Sequence, residues 1–144
     1  MTNSQELRRG AGGCVCRAVR YSVHGPLRDV VACHCEQCRR ITGHYLAATA
    51  VKRENFRLTT DRGLGWFQSS ASVRRGFCTQ CGSVLFWDND RYPHISIAAG
   101  SLDEPTGLAL VKHIFVAEKG DYYAIADGLP QVQGRAHGVA IPEG

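Results

Sequence analysis

Seven cysteines in three tight clusters constrain this 144-residue chain more than any other feature. Cys14-Val15-Cys16 and Cys78-Thr79-Gln80-Cys81 are pairs, whereas Cys33-His34-Cys35-Glu36-Gln37-Cys38 carries three thiols within six residues. A pair supplies two ligands, so each pair needs the other, and together they complete a tetrahedron of sulfur around a soft cation such as zinc. The trio then has no fourth cysteine. Three protein ligands leave one position open for water or substrate, which is where chemistry takes place. Other readings of the same residues stand beside this one. Cys14 and Cys16 read equally as small buried apolar side chains. The trio reads as a closed site completed by His34, His44 or a residue from afar. Cys35 and Cys38 read as a redox dithiol, although that motif normally heads a helix in a βαβ pattern that this β-rich sequence lacks.

Composition narrows the setting. A hydrophobic content of 44% with 21% charged residues is that of an ordinary globular chain, and the length suits one domain. No apolar run approaches the roughly 20 residues of a membrane span. The first nine residues lack the apolar core of a secretory signal, so a reducing, cytoplasmic setting is expected, in which clustered thiols bind metal rather than pair. A net charge of +4 fits an anionic small ligand. The arginines form no long run and are not interleaved with aromatics, which argues against a nucleic-acid partner.

Along the chain, residues 1–12 read as a flexible arm, residues 13–133 as a single domain and residues 134–144 as a loose tail. Short alternating runs predict strands within residues 14–23, 30–32, 46–51, 55–59, 66–69, 73–77, 83–87, 94–99 and 112–116. Residues 88–90 read as a turn. One short helix is expected over residues 36–42, ended by Gly43 in a left-handed cap. Gly82 is expected to take a positive dihedral after the second pair. The fold class is mainly β, with no internal repeat.

Beside the thiols, Arg39 and Arg40 are the leading candidates for binding the carboxylates of an acidic substrate, with Arg17, Arg20, Lys52 and Arg53 behind them. Tyr45, Trp66, Phe67, His113, Tyr122 and Tyr123 are candidates for an aromatic wall, or else for the core. His34, held between two cysteines, is expected to turn its ring away from a metal bound by its neighbours.

The cysteine pattern, with Val19-Arg20-Tyr21, Arg39-Arg40, Arg75-Gly76-Phe77, Gly100-Ser101-Leu102-Asp103 and Asp127-Gly128-Leu129-Pro130, resembles the glutathione-dependent formaldehyde-activating enzyme family, which includes relatives of centromere protein V. The resemblance implies a β-tent of small antiparallel sheets stapled by metal. It implies two zinc ions per chain, a structural one on Cys14, Cys16, Cys78 and Cys81 and a labile, catalytic one on Cys33, Cys35 and Cys38. The implied activity is carbon-sulfur lyase chemistry, joining a small thiol such as glutathione to a small aldehyde such as formaldehyde. A non-catalytic zinc module that binds a partner, or a thiol redox or metal sensor, are the alternatives.

Overall fold

The computed structural model describes residues 10–135 and 140–143. Expectations for residues 1–9 of the arm and for residues 136–139 and 144 of the tail lie outside the described residues. The chain is mainly β, with ten strands and one short α-helix among the described residues. A three-stranded sheet is built from β1 (Gly10–Gly13), β2 (Arg20–Val23) and β5 (Phe56–Thr60), in the order β1-β2-β5. The larger sheet contains β3 (Val30–Cys33), β4 (Leu46–Lys52), β6 (Leu64–Gln68), β7 (Val73–Cys78), β8 (Val84–Asn89), β9 (His94–Ala98) and β10 (Leu110–Ile114). Its order is β10-β3-β4-β9-β8-β7-β6. Every pairing is antiparallel except that of β10 with β3, which is parallel. No described helix is long and apolar enough to cross a membrane.

The helix α1 (Glu36–Thr42) has the predicted bounds, and Gly43 closes it at φ 83°. Three local readings differ. Of the strand or hairpin read within residues 14–23, only Arg20–Val23 is strand, because residues 14–19 turn back to bring Cys14 and Cys16 together. Gly10–Gly13 forms a strand instead of belonging to an arm and a turn. Glycine serves close packing there: a side chain on Gly12 would collide with the Ser101 carbonyl and the Tyr21 ring. β8 continues through Asp88 and Asn89, residues read as a turn from their polarity. Asp88 faces Arg74 across the strand pair and is buried in ion pairs with Arg53 (2.6 Å) and Arg74 (2.9 Å), so its charge is matched inside the sheet.

Burial alone would raise the Asp88 carboxyl, but its hydrogen bonds to Arg53 and Arg74 more than offset that and hold it below its ordinary value. A carboxyl depressed in the folded state stabilises fully above its unfolded pKa of about 3.9, and the contribution is lost as pH falls through the folded value. Asp88→Asn is therefore expected to cost about 1–3 kcal/mol near pH 7, leaving two guanidinium groups without their anion. Urea midpoints of the two proteins should converge as the pH drops below about 4, and a constant gap would contradict the assignment.

The main core lies beneath both sheets and includes Val19, Tyr21, Val51, Leu85, Phe86 and Ile97. The Tyr21 hydroxyl reaches Ser101 at 2.7 Å, which satisfies its polar end. A second, smaller apolar cluster gathers Cys38, Leu46 and Ala48, with Cys33, Cys35 and Trp87 against it. The thiol trio thus sits on its own patch of core.

Candidate functional site

The four-cysteine cluster joins the turn after β1 to the end of β7. Cys14 closes its turn by donating its N–H to the Val19 carbonyl at 3.1 Å, and its sulfur accepts the Val19 N–H at 3.2 Å. Arg17 takes φ 69° in this turn, which lets Cys16 swing back beside Cys14. On the other side the Gln80 N–H approaches the Cys78 sulfur at 3.4 Å, and Gly82 has φ 78°. The sulfur of Cys16 lies 3.7 Å from that of Cys14 and 3.7 Å from that of Cys78. With Zn–S bonds near 2.3 Å, the edge of an ideal tetrahedron is about 3.8 Å. All four sulfurs fall within 4.8 Å of one another, and no disulfide joins any of the seven cysteines. The donor set therefore fits zinc. The Ser83 hydroxyl, with backbone N–H groups, pushes the Cys81 thiol down to about 5, toward the form a metal binds.

The trio is assembled locally. Cys33 ends β3, Cys35 is the N-cap of α1, and Cys38 lies in the first turn on the buried face of the helix. The Cys35 sulfur accepts the Cys38 N–H at 3.3 Å, so the capping group is also a candidate ligand. The three sulfurs lie within 4.8 Å of one another, and no described His, Asp or Glu joins them. His34 and His44 thus do not complete the site. Hydrogen bonds from Cys33 and Cys38 pull the Cys35 thiol well below its ordinary value, and Arg75 adds to this. The same contacts and burial push Cys33 up.

Arg75 is the residue that sequence reasoning missed. It comes from β7, is 5% exposed, and brings both terminal guanidinium nitrogens to 3.5 Å from the Cys38 sulfur. Its Nε donates to Gln37 Oε1 at 3.0 Å. No described carboxylate lies within ion-pair distance of it, so its counter-charge is the sulfur cluster. Three thiolates around a divalent ion would carry one net negative charge, which this guanidinium is placed to neutralise. Arg75→Gln is expected to weaken metal binding at the trio by about 10- to 100-fold, with the four-cysteine cluster unchanged. Arg40→Ala serves as the control and should change it less than twofold; competition with a chromogenic chelator would measure both.

The trio opens on a cavity of about 710 Å³. Its floor follows β4 from Leu46, which pairs with Cys33, to Ala50, which pairs with Ser96. Arg28 lies along this floor, donating its Nη2 to the Ala48 carbonyl at 2.8 Å. Lys112 and Arg135 add positive charge to the wall, and none of the described lining residues is acidic. His94 stacks on Tyr92 with ring centroids 5.2 Å apart, and burial, then Arg28 and Arg53 nearby, lower its pKa. Arg135, Ala140 and Ile141 of the C-terminal tail also line the cavity.

Arg39 and Arg40 are not among these lining residues. Arg40 is exposed and pairs with Glu36 at 3.0 Å, one helical turn away, while the Arg39 Nε is buried without a hydrogen-bond partner. Of the weaker candidates, Arg20 pairs with Asp103 at 2.6 Å and Arg53 with Asp88. Trp66 packs on Phe86 beneath the Arg74 guanidinium, and Phe67 is exposed. Tyr45 packs on His34, which is fully buried with its ring hydrogen-bonded to Tyr123 and His113. Burial first, then the neighbouring His113, His44 and Lys119, push His34 down to about 4.

Two sheets that carry a four-cysteine cluster and a three-cysteine cluster, the second facing a cationic cavity, define a mainly β protein with two sites able to hold a soft metal. The chain belongs to the glutathione-dependent formaldehyde-activating enzyme family, whose model matches residues 9–118 and so includes both clusters. A protein of Schizosaccharomyces pombe named an uncharacterized lyase is 24% identical over 119 residues, covering 81% of this chain and 85% of the relative. The crystal structure of a Rhodobacter sphaeroides protein determined as a structural-genomics target has the same fold. It superposes with a TM-score of 0.59 at 20% identity, over 84% of this chain and 98% of the other.

Proposed function

We propose that this protein forms or cleaves the adduct between a small, carboxylate-bearing thiol such as glutathione and a small aldehyde such as formaldehyde, at Cys33, Cys35 and Cys38. The observation that carries the reading is the placement of three thiols, backed by a buried arginine, at the end of a cavity whose charged lining is entirely cationic. Zinc held by Cys33, Cys35 and Cys38 supplies a Lewis-acidic position that favours a thiolate over a thiol and polarises a carbonyl oxygen.

The remaining work belongs to the chain. Arg28, Lys112 and Arg135 attract the carboxylates of the thiol, and the wall of Leu46, Ala48 and Trp87 keeps water from its sulfur. Arg75 balances the negative charge that accumulates as the incoming thiol gives its proton to solvent water on entry, and Gln37 holds the guanidinium in place. The sulfur lone pair then forms a C–S bond to the carbonyl carbon. The C=O π pair moves to oxygen, which takes a proton from water. Confining two dilute solutes in one cavity turns a bimolecular encounter into a local step.

The test uses protein purified with reductant. Two zinc ions per chain are expected, with one removed by a mild chelator. Because glutathione and formaldehyde also combine unaided, exchange between free and adduct ¹³C-formaldehyde should be measured by NMR with and without protein. Faster exchange that disappears on chelation is the expected result. An exchange rate identical to that of buffer, with two zinc ions present, would dismiss the reading.

A further inference from the structure

On the side of β3 away from the cavity, His34 and three side chains from residues 113–127 form one continuous hydrogen-bonded chain. The Tyr123 hydroxyl bonds to His34 Nδ1, His34 Nε2 lies 2.8 Å from His113 Nδ1, and His113 Nε2 lies 2.7 Å from Asp127 Oδ2. Both imidazoles are buried, at 0% and 3% exposure. Asp127, at the outer end, is partly exposed, and its other oxygen accepts the Leu129 N–H at 3.0 Å. At the inner end the Lys119 ammonium sits 4.8 Å above the Tyr123 ring and donates to the Tyr123 carbonyl at 2.6 Å. None of these groups lines the cavity.

With both imidazoles uncharged, the four groups allow one direction for every bond. The Asp127 carboxylate, held ionised by the Leu129 N–H and then by His113, only accepts, so His113 Nε2 carries a proton. His113 then presents a bare Nδ1, so His34 Nε2 is the donor there. His34 Nδ1 is therefore bare, and the Tyr123 hydroxyl donates to it. Both rings are thus fixed as Nε2–H tautomers, and each has both nitrogens engaged. A ring so held cannot rotate without breaking two buried hydrogen bonds.

We propose that Asp127, His113 and Tyr123 are positioning residues for the thiol trio, acting through His34 along a hydrogen-bonded chain of single polarity. His34 stands between Cys33 and Cys35, and its own N–H is tied to the Ile114 carbonyl at 3.0 Å. Anchoring its ring on one side of the backbone holds the two neighbouring sulfurs on the other. The role extends the reading of the trio as a metal centre and rests on it; the polarity of the chain does not.

The test has two parts, both on the full chain. Long-range ¹H–¹⁵N spectra of the imidazoles should show His34 and His113 as Nε2–H tautomers; an Nδ1–H form for either would overturn the polarity. In Asp127→Asn the Leu129 N–H still requires the side-chain oxygen, which turns the amide NH₂ toward His113. Both rings should then switch to Nδ1–H, and an unchanged spectrum would overturn the chain. The affinity of the trio for zinc, read by chelator competition, should fall about 10- to 100-fold in Asp127→Asn and in Tyr123→Phe. Tyr123→Phe keeps the ring beneath Lys119, so it should fold even if Asp127→Asn does not. A lower melting temperature with affinity unchanged in Tyr123→Phe would overturn the positioning role. Wild-type protein that binds only one zinc would instead dismiss the metal reading of the trio. The rate at which iodoacetamide alkylates Cys33 and Cys35 would then decide, an equal rate in wild type and Tyr123→Phe counting against the role.

Discussion

Replacing Cys35 by serine is expected to lower thiol-aldehyde turnover by on the order of 10²–10³-fold while the fold stands. The two effects separate because Cys35 does two things. As the N-cap of α1 it has φ −62° and ψ 157° and accepts the Cys38 N–H. Serine is a preferred N-cap, so the helix keeps its start, and the melting temperature should move little. As a thiol, Cys35 is the member of the trio drawn most toward the thiolate, through Cys33, Cys38 and Arg75. A serine hydroxyl does not ionise near neutral pH and is a poor ligand for a soft cation. Zinc content should drop from two per chain to one. Rates of ¹³C-formaldehyde exchange, beside elemental analysis, would check both effects. Full turnover in a variant with one zinc would show that the trio is not where the reaction occurs.

Cys78→Ser is expected to have the larger structural effect, a loss of most of the stability of the domain. Cys78 is fully buried at the end of β7, and its sulfur lies 3.7 Å from that of Cys16, 62 positions earlier in the chain. Gly63 packs closely enough that a side chain there would touch that sulfur. Serine would remove one of the four candidate ligands that bring the start of the chain to its middle, and it buries a hydroxyl in place of sulfur. Structural zinc in small domains contributes about 10–16 kcal/mol, whereas whole domains are stable by about 5–15 kcal/mol. Thermal unfolding followed by circular dichroism should begin far below that of the wild type, with zinc lost first from this cluster. An unchanged melt with two zinc ions retained would refute the structural assignment.

Much of this was legible in the residues because it depends on near neighbours. The helix over residues 36–42 follows from the cysteine loop that leads into it and from Gly43 at its end, and the thiol clusters follow from spacing. The strand series follows from alternation. Arg75 illustrates what was not legible. Two adjacent arginines in a strand must point to opposite faces, so one of Arg74 and Arg75 had to face inward. Which one did so depends on the register of β7 with β8, set by Arg74 opposite Asp88. Arg39 and Arg40 follow the trio directly in sequence, but Cys38 occupies the inward face of α1, so Arg40 points to solvent. Asp88 and the glycines of β1 were misread for a related reason. Polarity and small size suggest loops until an ion pair or a tight contact from far along the chain gives them a buried place.

The parallel pairing of β10 with β3 also sets an order of events during synthesis. The last ligand of the four-cysteine cluster, Cys81, leaves the ribosome well before residues 110–127. By contrast, the trio exists early as bare thiols, while its supports arrive late: the Ile114 carbonyl, His113, Tyr123 and Asp127. A nascent chain should therefore assemble its four-cysteine cluster before its second site takes shape, and the trio should mature only once residues 110–127 have emerged. Ribosome-arrested chains of increasing length, probed with a thiol reagent, would reveal that sequence. Early protection of Cys33 and Cys35, in chains ending before residue 110, would contradict it.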